Sequence, residues 1–189
     1  MSRDFRSARF WAVELLEEAL FPGARAVDAT MGNGGDTRWL CEQVGPEGRV
    51  YAFDVQPEAV DRTRSLLEKE GLAERAALFC AGHQHMAKYV PEPVDAVVFN
   101  LGWLPRAEHA VTTLADTTLQ AVDAALTLLR PRGLVTICVY PGHEEGKREL
   151  EALTTWAEGL DAGRYDALLR CYMNQPNDPP RLIAVRKKR

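Results

Sequence analysis

Close-set cysteines are missing from this chain. Its 189 residues include four, Cys41, Cys80, Cys138 and Cys171, and no two have the near spacing of a zinc or redox motif. Neither a disulfide framework nor a metal centre is expected. Three of the four fall in predicted strands or on an apolar helix face, and the set reads as small buried hydrophobes. No apolar run approaches the ~20 residues of a membrane span. The start, Met1-Ser2-Arg3-Asp4-Phe5-Arg6, leads into a mixed helix instead of the apolar block of a signal peptide. The resulting expectation is a cytoplasmic protein with no membrane partner. An excess of positive charge is also lacking. The formal net charge is −4, whereas a nonspecific nucleic-acid binder is usually basic. A nucleic-acid substrate must then meet a local patch. The tail Arg181 to Arg189 is a candidate, with a solvated tail as the alternative. There is no internal repeat, low-complexity segment or linker, and the length suits one α/β domain over residues 1–189.

What the chain does have is apolar runs alternating with helical patterns. Phe10, Val13, Leu16 and Leu20 recur at helical spacing and predict an amphipathic helix from Phe5 to Leu20, stopped by Pro22-Gly23. Strands are predicted at Ala24–Ala29, Arg49–Val55, Ala76–Cys80, Val94–Asn100, Leu134–Tyr140, Tyr165–Met173 and Arg181–Arg186. Helices are predicted from Asp36 to Val44, from Pro57 to about Glu70, from about Thr113 to Leu129 and from about Glu144 to Gly159. Arg130-Pro131-Arg132-Gly133 is read as the turn closing the third of these. Such alternation argues for a mostly parallel sheet covered on both faces. The last two strands are joined without a helix, by Asn174-Gln175-Pro176-Asn177-Asp178-Pro179-Pro180, so the seventh must run antiparallel.

The densest signal is Val27-Asp28-Ala29-Thr30-Met31-Gly32-Asn33-Gly34-Gly35-Asp36-Thr37, followed by Val50-Tyr51-Ala52-Phe53-Asp54. A strand, a glycine loop, a helix, a second strand and an acid form a unit that cradles a nucleoside cofactor. The loop lets backbone approach the ligand, and an acid at the second strand's end accepts bonds from ribose hydroxyls. Asp36 and Thr37 have helix capping as their alternative.

Asp28-x-Thr30-x-Gly32-x-Gly34 resembles the first motif of class I S-adenosyl-L-methionine (SAM) methyltransferases, with Thr30 in place of its first glycine. The reversed seventh strand is that superfamily's hallmark and implies its Rossmann-like fold. Further blocks follow in order: Phe53-Asp54-Val55-Gln56, Gly82-His83-Gln84, Asn100-Leu101-Gly102-Trp103-Leu104-Pro105, Tyr140-Pro141-Gly142-His143-Glu144-Glu145-Gly146-Lys147 and Gln175-Pro176-Asn177-Asp178-Pro179-Pro180. The set resembles a small bacterial family labelled rRNA methylases and now understood as tRNA methyltransferases. Its members methylate the amine of 5-aminomethyluridine, or its 2-thio form, at the wobble position. After Leu104-Pro105 that family tends to a Gly-Gly turn, where this chain has Arg106-Ala107-Glu108-His109.

The resemblance implies a division of labour. Gly32, Asn33, Gly34 and Gly35, with Asp28, Thr30, Asp36 and Thr37, would serve the methionine end of SAM. Asp54, Val55 and Gln56 would meet its ribose and adenine, His83 and Gln84 the adenine edge, and Asn100 would touch the donor as well. Asn100 and Leu101 resemble the start of the Asn-Pro-Pro-aromatic motif of amino methyltransferases, in which a side-chain oxygen and a backbone carbonyl accept bonds from the target amine. Trp103 would stack on a uracil, with a core position as its alternative. His143 or His109 would accept a proton, with loop or phosphate contact as the alternative. Arg106, His109, Lys147 and Arg148 would line a rim for an anticodon loop. A homodimer is expected, since small methyltransferases without an RNA-binding domain often gain surface that way. Three other functions stay open on sequence: methylation of rRNA or a small amine, an NAD-dependent oxidoreductase, and a SAM-fold scaffold without turnover.

Overall fold

The computed structural model describes residues 7–102 and 113–189. Seven strands form one sheet: β1 (Arg25–Asp28), β2 (Arg49–Asp54), β3 (Ala76–Cys80), β4 (Val94–Asn100), β5 (Leu129–Val139), β6 (Tyr165–Arg170) and β7 (Arg181–Lys187). Their order is β3-β2-β1-β4-β5-β7-β6. The first five pair parallel, and β7 lies antiparallel between β5 and β6, as the helix-free connection requires.

The helices are α1 (Ala8–Ala19), α2 (Gly35–Val44), α3 (Pro57–Lys69), the single turn α4 (Met86–Tyr89), α5 (Ala115–Leu128) and α6 (Glu144–Glu158). Side chains alternate across a strand, so each central strand feeds two cores. Val27, Phe53, Phe99 and Ile137 join Ala121, Val122, Ala125 and Leu153 on one face. Ala26, Val50 and Val98 join Leu16, Leu40, Val44 and Leu67 on the other. Among the described residues, no helix is long and apolar enough to cross a membrane.

Several expectations need correction. Helix α1 buries Ala8, Trp11, Ala12 and Leu16, while Phe10 is 39% exposed and Val13 is half-buried. Leu16 of the expected stripe is buried and Leu20 packs against the same core, while Ala8, Trp11 and Ala12 take the places expected for Phe10 and Val13. Residues 130–133, expected as the turn after the helix, belong instead to the fifth strand. Strand β5 starts at Leu129, and its pairing with β4 jumps from Val94↔Leu129 to Ala96↔Leu134, so the extra residues bulge out, with Arg132 at φ 69°. Cys41 and Cys138 are buried, but Cys80 and Cys171 are exposed. Cys80 ends β3, an outer strand. The basic tail is strand β7 and is tied to its own fold. Lys187 Nζ donates to the carbonyls of Leu126 and Leu129 at the end of α5, Lys188 meets Asp166, and Arg186 meets Glu18.

The turn between β1 and α2 depends on glycine at one position. Gly34 has φ 80°, and a Cβ there would sit 2.9 Å from Thr63 Oγ1 and 3.1 Å from Thr63 Cα. Thr63 is buried on α3. Gly34→Ala is therefore expected to destabilise the protein by about 1–3 kcal/mol, read as a lower urea midpoint. An unchanged midpoint would contradict this account of the turn.

Candidate functional site

Strand order reverses between β1 and β4, and the loops beyond the carboxyl ends of β1, β2, β3, β4 and β5 enclose a cleft there. Its volume is about 710 Å³, within the range of small-molecule sites. Backbone bonds continue past the strands and knit these loops together. Ala29 donates to Val98, Met31 to Phe53, Ala81 to Asp54 and Leu101 to Cys138, all at 2.9–3.0 Å.

Asp28 is fully buried behind the glycine loop and does not line the cleft. It accepts from Thr37 Oγ1 at 2.7 Å and from the Thr30 amide at 3.1 Å. Burial pushes its pKa up to about 7, Asp36 nearby adds to the rise, and those bonds oppose it. Asp28 and Thr37 thus hold the loop's shape from inside. Gly34, also behind the wall, forms the N-cap of α2 with no side-chain bond, so neither Asp36 nor Thr37 caps that helix. Thr30, Gly32, Asn33, Gly35 and Asp36 do line the cleft. A Cβ added at Gly35 would meet nothing within 4 Å.

Asp54 lines the cleft and shapes it. One carboxylate oxygen accepts from the Gly32 amide and the other from the Gln56 amide, each at 3.0 Å. Val55, Gln56, His83 and Gln84 complete this half. His83 is buried, edge-on to Phe99, and bonded to the Ala29 backbone. Burial pushes its pKa down to about 4 against that bond, so its ring is neutral at physiological pH.

The other half contains Asn100, Leu101, Gly102, Thr113, Leu114, Thr117, Tyr140 and His143. The Asn100 amide N–H of the backbone donates to Thr30 Oγ1 at 2.7 Å. Its side-chain Nδ2 donates to Asp36 Oδ2, and Asp36 Oδ1 accepts from Arg9. A carboxylate only accepts, so the face of the Asn100 amide turned to Asp36 must be its NH₂. The Oδ1 atom is left buried with no partner among the described residues. A buried acceptor in that state costs about 1–3 kcal/mol. Such orphans call for a functional reason.

His143 caps α6, its Nδ1 accepting from the Gly146 amide at 3.1 Å. That bond occupies the lone pair of Nδ1, so this nitrogen serves the helix and not the cleft. Lys147 and Arg148 lie on α6. Lys147 meets Asp178 at 3.7 Å, and Arg148 is held by Glu144 and Glu145. Trp103, Arg106 and His109 lie outside the described residues.

Sequence reasoning missed Arg9, Thr113, Tyr140 and Glu149. Thr113 Oγ1 accepts from the Gly102 amide at 3.0 Å and donates to Glu149 at 2.9 Å, and Thr118 donates to the same carboxyl at 2.8 Å. Burial pushes the Glu149 pKa up, and the two hydroxyls oppose that. Glu149 thereby ties the residues flanking 103–112 to α6. A buried glutamate amid the apolar positions of α6 was the one available signal.

A family model described as "Putative rRNA methylase" matches residues 50–186. The chain belongs to that family. A protein of Clostridium thermocellum bearing the same description has a crystal structure that superposes with a TM-score of 0.95 at 36% identity, covering 97% of this chain and 99% of that one. A "putative methyltransferase" of Streptococcus mutans, in complex with SAH, gives 0.89 at 36% identity with the same coverage. The Arabidopsis thaliana protein named tRNA (mnm(5)s(2)U34)-methyltransferase, chloroplastic, is 38% identical over 173 residues, 86% of this chain. The chain spans 63% of that relative's length. The fold is the Rossmann-like methyltransferase arrangement expected from the sequence.

The His83 assignment has a direct check. Its folded pKa lies below the ordinary 6.5, so unfolding takes up a proton once pH falls through 6.5. The stability this site contributes is complete above that value and is lost progressively toward pH 4. An NMR titration should show the His83 ring neutral down to about pH 4. A midpoint near 6.5 would contradict its burial.

Proposed function

We propose that this chain is a SAM-dependent N-methyltransferase that converts the 5-aminomethyl group of a tRNA wobble uridine, or its 2-thio form, to 5-methylaminomethyl. The observation that carries the reading is the orphaned Oδ1 of Asn100, a buried acceptor on a residue that lines the cleft. Kinship with the Arabidopsis tRNA methyltransferase and with a protein crystallised with SAH supports it.

The donor half fits SAM. Gly32, Asn33 and Gly35 offer backbone with little side-chain bulk, beside the positive end of α2. Asp54 uses one lone pair of each oxygen within the protein and keeps others for ribose hydroxyls. Neutral His83 and Gln84 stand where an adenine edge would lie. Bound SAM supplies an electrophilic methyl group on a sulfonium.

On the acceptor side, Asn100 Oδ1 takes an N–H of the target amine and so fixes the direction of its lone pair. Positioning of this kind accounts for much of the acceleration in such reactions. The amine must be neutral to react, and an alkyl ammonium has a pKa of ~10.4 in water. A desolvated site lowers that value. With His143 Nδ1 committed to α6, His109 is the remaining candidate for the proton that the amine gives up. Trp103 remains the proposed stacking face, and Arg106, His109, Lys147 and Arg148 the rim that meets anticodon-loop phosphates. Splayed single-stranded bases suit such a pocket. The enzyme would act on its tRNA in the cytoplasm.

The test supplies labelled SAM and tRNA with or without 5-aminomethyluridine at the wobble position. Label should enter only the tRNA that carries the aminomethyl group. Labelling of the tRNA without that group would overturn the assignment. Asn100→Ala should lower transfer by roughly 100-fold or more with SAM affinity retained. Unchanged transfer would refute the role of its oxygen.

A further inference from the structure

Arg9 borders the cleft, yet methyl transfer as described so far gives it no task. It sits in the first turn of α1, lines the cleft beside Asp36, and keeps 51% of its side-chain surface exposed. Its Nε and Nη2 both donate to Asp36 Oδ1. A guanidinium carries five N–H groups in a fixed plane, so this contact leaves the Nη1 pair for another acceptor. A brace between α1 and α2 alone would not need to face a ligand cleft.

Asp36 has capacity left as well. A carboxylate offers about four lone-pair sites. Arg9 fills those of Oδ1, and Asn100 Nδ2 fills one on Oδ2. The remaining site belongs to a side chain that is 18% exposed and lines the same cleft. Gly35 and Asp36 are also the first two residues of α2, and the opening amides of a helix find no partner within it. One corner of the cleft thus sets a fixed cation, an anion and helix-end amides side by side. That is the complement of a zwitterion, a carboxylate and an ammonium carried on one carbon.

We propose that Arg9 binds the carboxylate of the methionine end of SAM, while the open lone pair of Asp36 takes the ammonium. The assignment rests on SAM as the methyl donor and is independent of the acceptor. The planar fork of arginine matches a carboxylate with two parallel N–H bonds, which a lysine cannot supply. Because Asp36 already holds the guanidinium, little side-chain freedom is lost when the ligand arrives. Asp54 bonds Gly32 at the start of the glycine loop, and Asp36 stands at its end. With its ribose on Asp54 and its amino-acid end on Arg9 and Asp36, the cofactor spans that loop.

Isothermal titration calorimetry on the full chain tests this with two ligands, SAH and decarboxylated SAH. The second keeps the adenosine, the sulfur and the ammonium and lacks only the carboxylate. The unmodified protein should bind SAH more tightly by about 10-fold or more, the difference expected for a charge-assisted pair. Arg9→Ala should weaken SAH binding by roughly 10- to 100-fold and leave the affinity for decarboxylated SAH unchanged. Arg9→Lys keeps the charge without the fork and should fall between the two. Melting temperatures check the fold of each variant, and Arg9→Gln, which can still donate to Asp36, replaces the alanine variant if that one does not fold. An equal loss for both ligands would make Arg9 a brace for Asp36 only, and no loss for either would remove it from the cofactor site. Both results overturn the assignment while SAM use stands. Failure of the unmodified protein to bind SAH at all would overturn the donor site itself.

Discussion

One carboxylate ties together three parts of the chain that are remote in sequence. Asp36, in the first turn of α2, accepts from Arg9 of α1 and from the side-chain amide of Asn100 at the tip of β4. Because a carboxylate has only acceptors, this bond decides which way the Asn100 amide faces. The role proposed for the Asn100 oxygen depends on that orientation. Arg9 offsets the negative charge that Asp36 would otherwise bring near the buried Asp28, whose own pKa is raised in part by Asp36.

The fold supplies the setting for this bond. Reversal of strand order between β1 and β4 opens a crevice, and the β1–α2 turn reaches over it. Asp28 holds that turn from below and Asp54 from the side. The same Asp54 remains open to a ligand, so the shape of the loop and the recognition of a ribose share one group. On the far side, Glu149 fixes both Thr113 and Thr118. Two buried acids, Asp28 and Glu149, thus brace the two halves of the cleft, and neither lines it.

Much of this was legible from local patterns. The strand–loop–helix–strand–acid unit shows in sequence because each backbone requirement has a residue type that meets it, glycine at Gly34 above all. The antiparallel end follows from a connection too short for a crossover. What stayed hidden depends on contacts between distant residues. Arg9 and Asp36 are 27 positions apart, and nothing around Arg9 sets it apart from a surface arginine. Of the expected stripe Phe10, Val13, Leu16 and Leu20, Leu16 is fully buried and Leu20 packs against the same core, but Ala8, Trp11 and Ala12 supply the rest of the face on the sheet. Arg186, Lys187 and Lys188 read as a basic tail because their partners, Glu18, the end of α5 and Asp166, come from three separate segments. His143 reads as a loop residue beside the cleft, and only the fold shows that its Nδ1 caps α6 through the Gly146 amide.

A crystal structure with SAH and an anticodon stem-loop carrying 5-aminomethyluridine tests the central claim most directly. The distance to read is that from Asn100 Oδ1 to the aminomethyl nitrogen. The account predicts ordinary hydrogen-bond length, about 2.7–3.2 Å, with Nδ2 still on Asp36. An amine held elsewhere, or an amide turned so that its oxygen no longer faces the substrate, would contradict it.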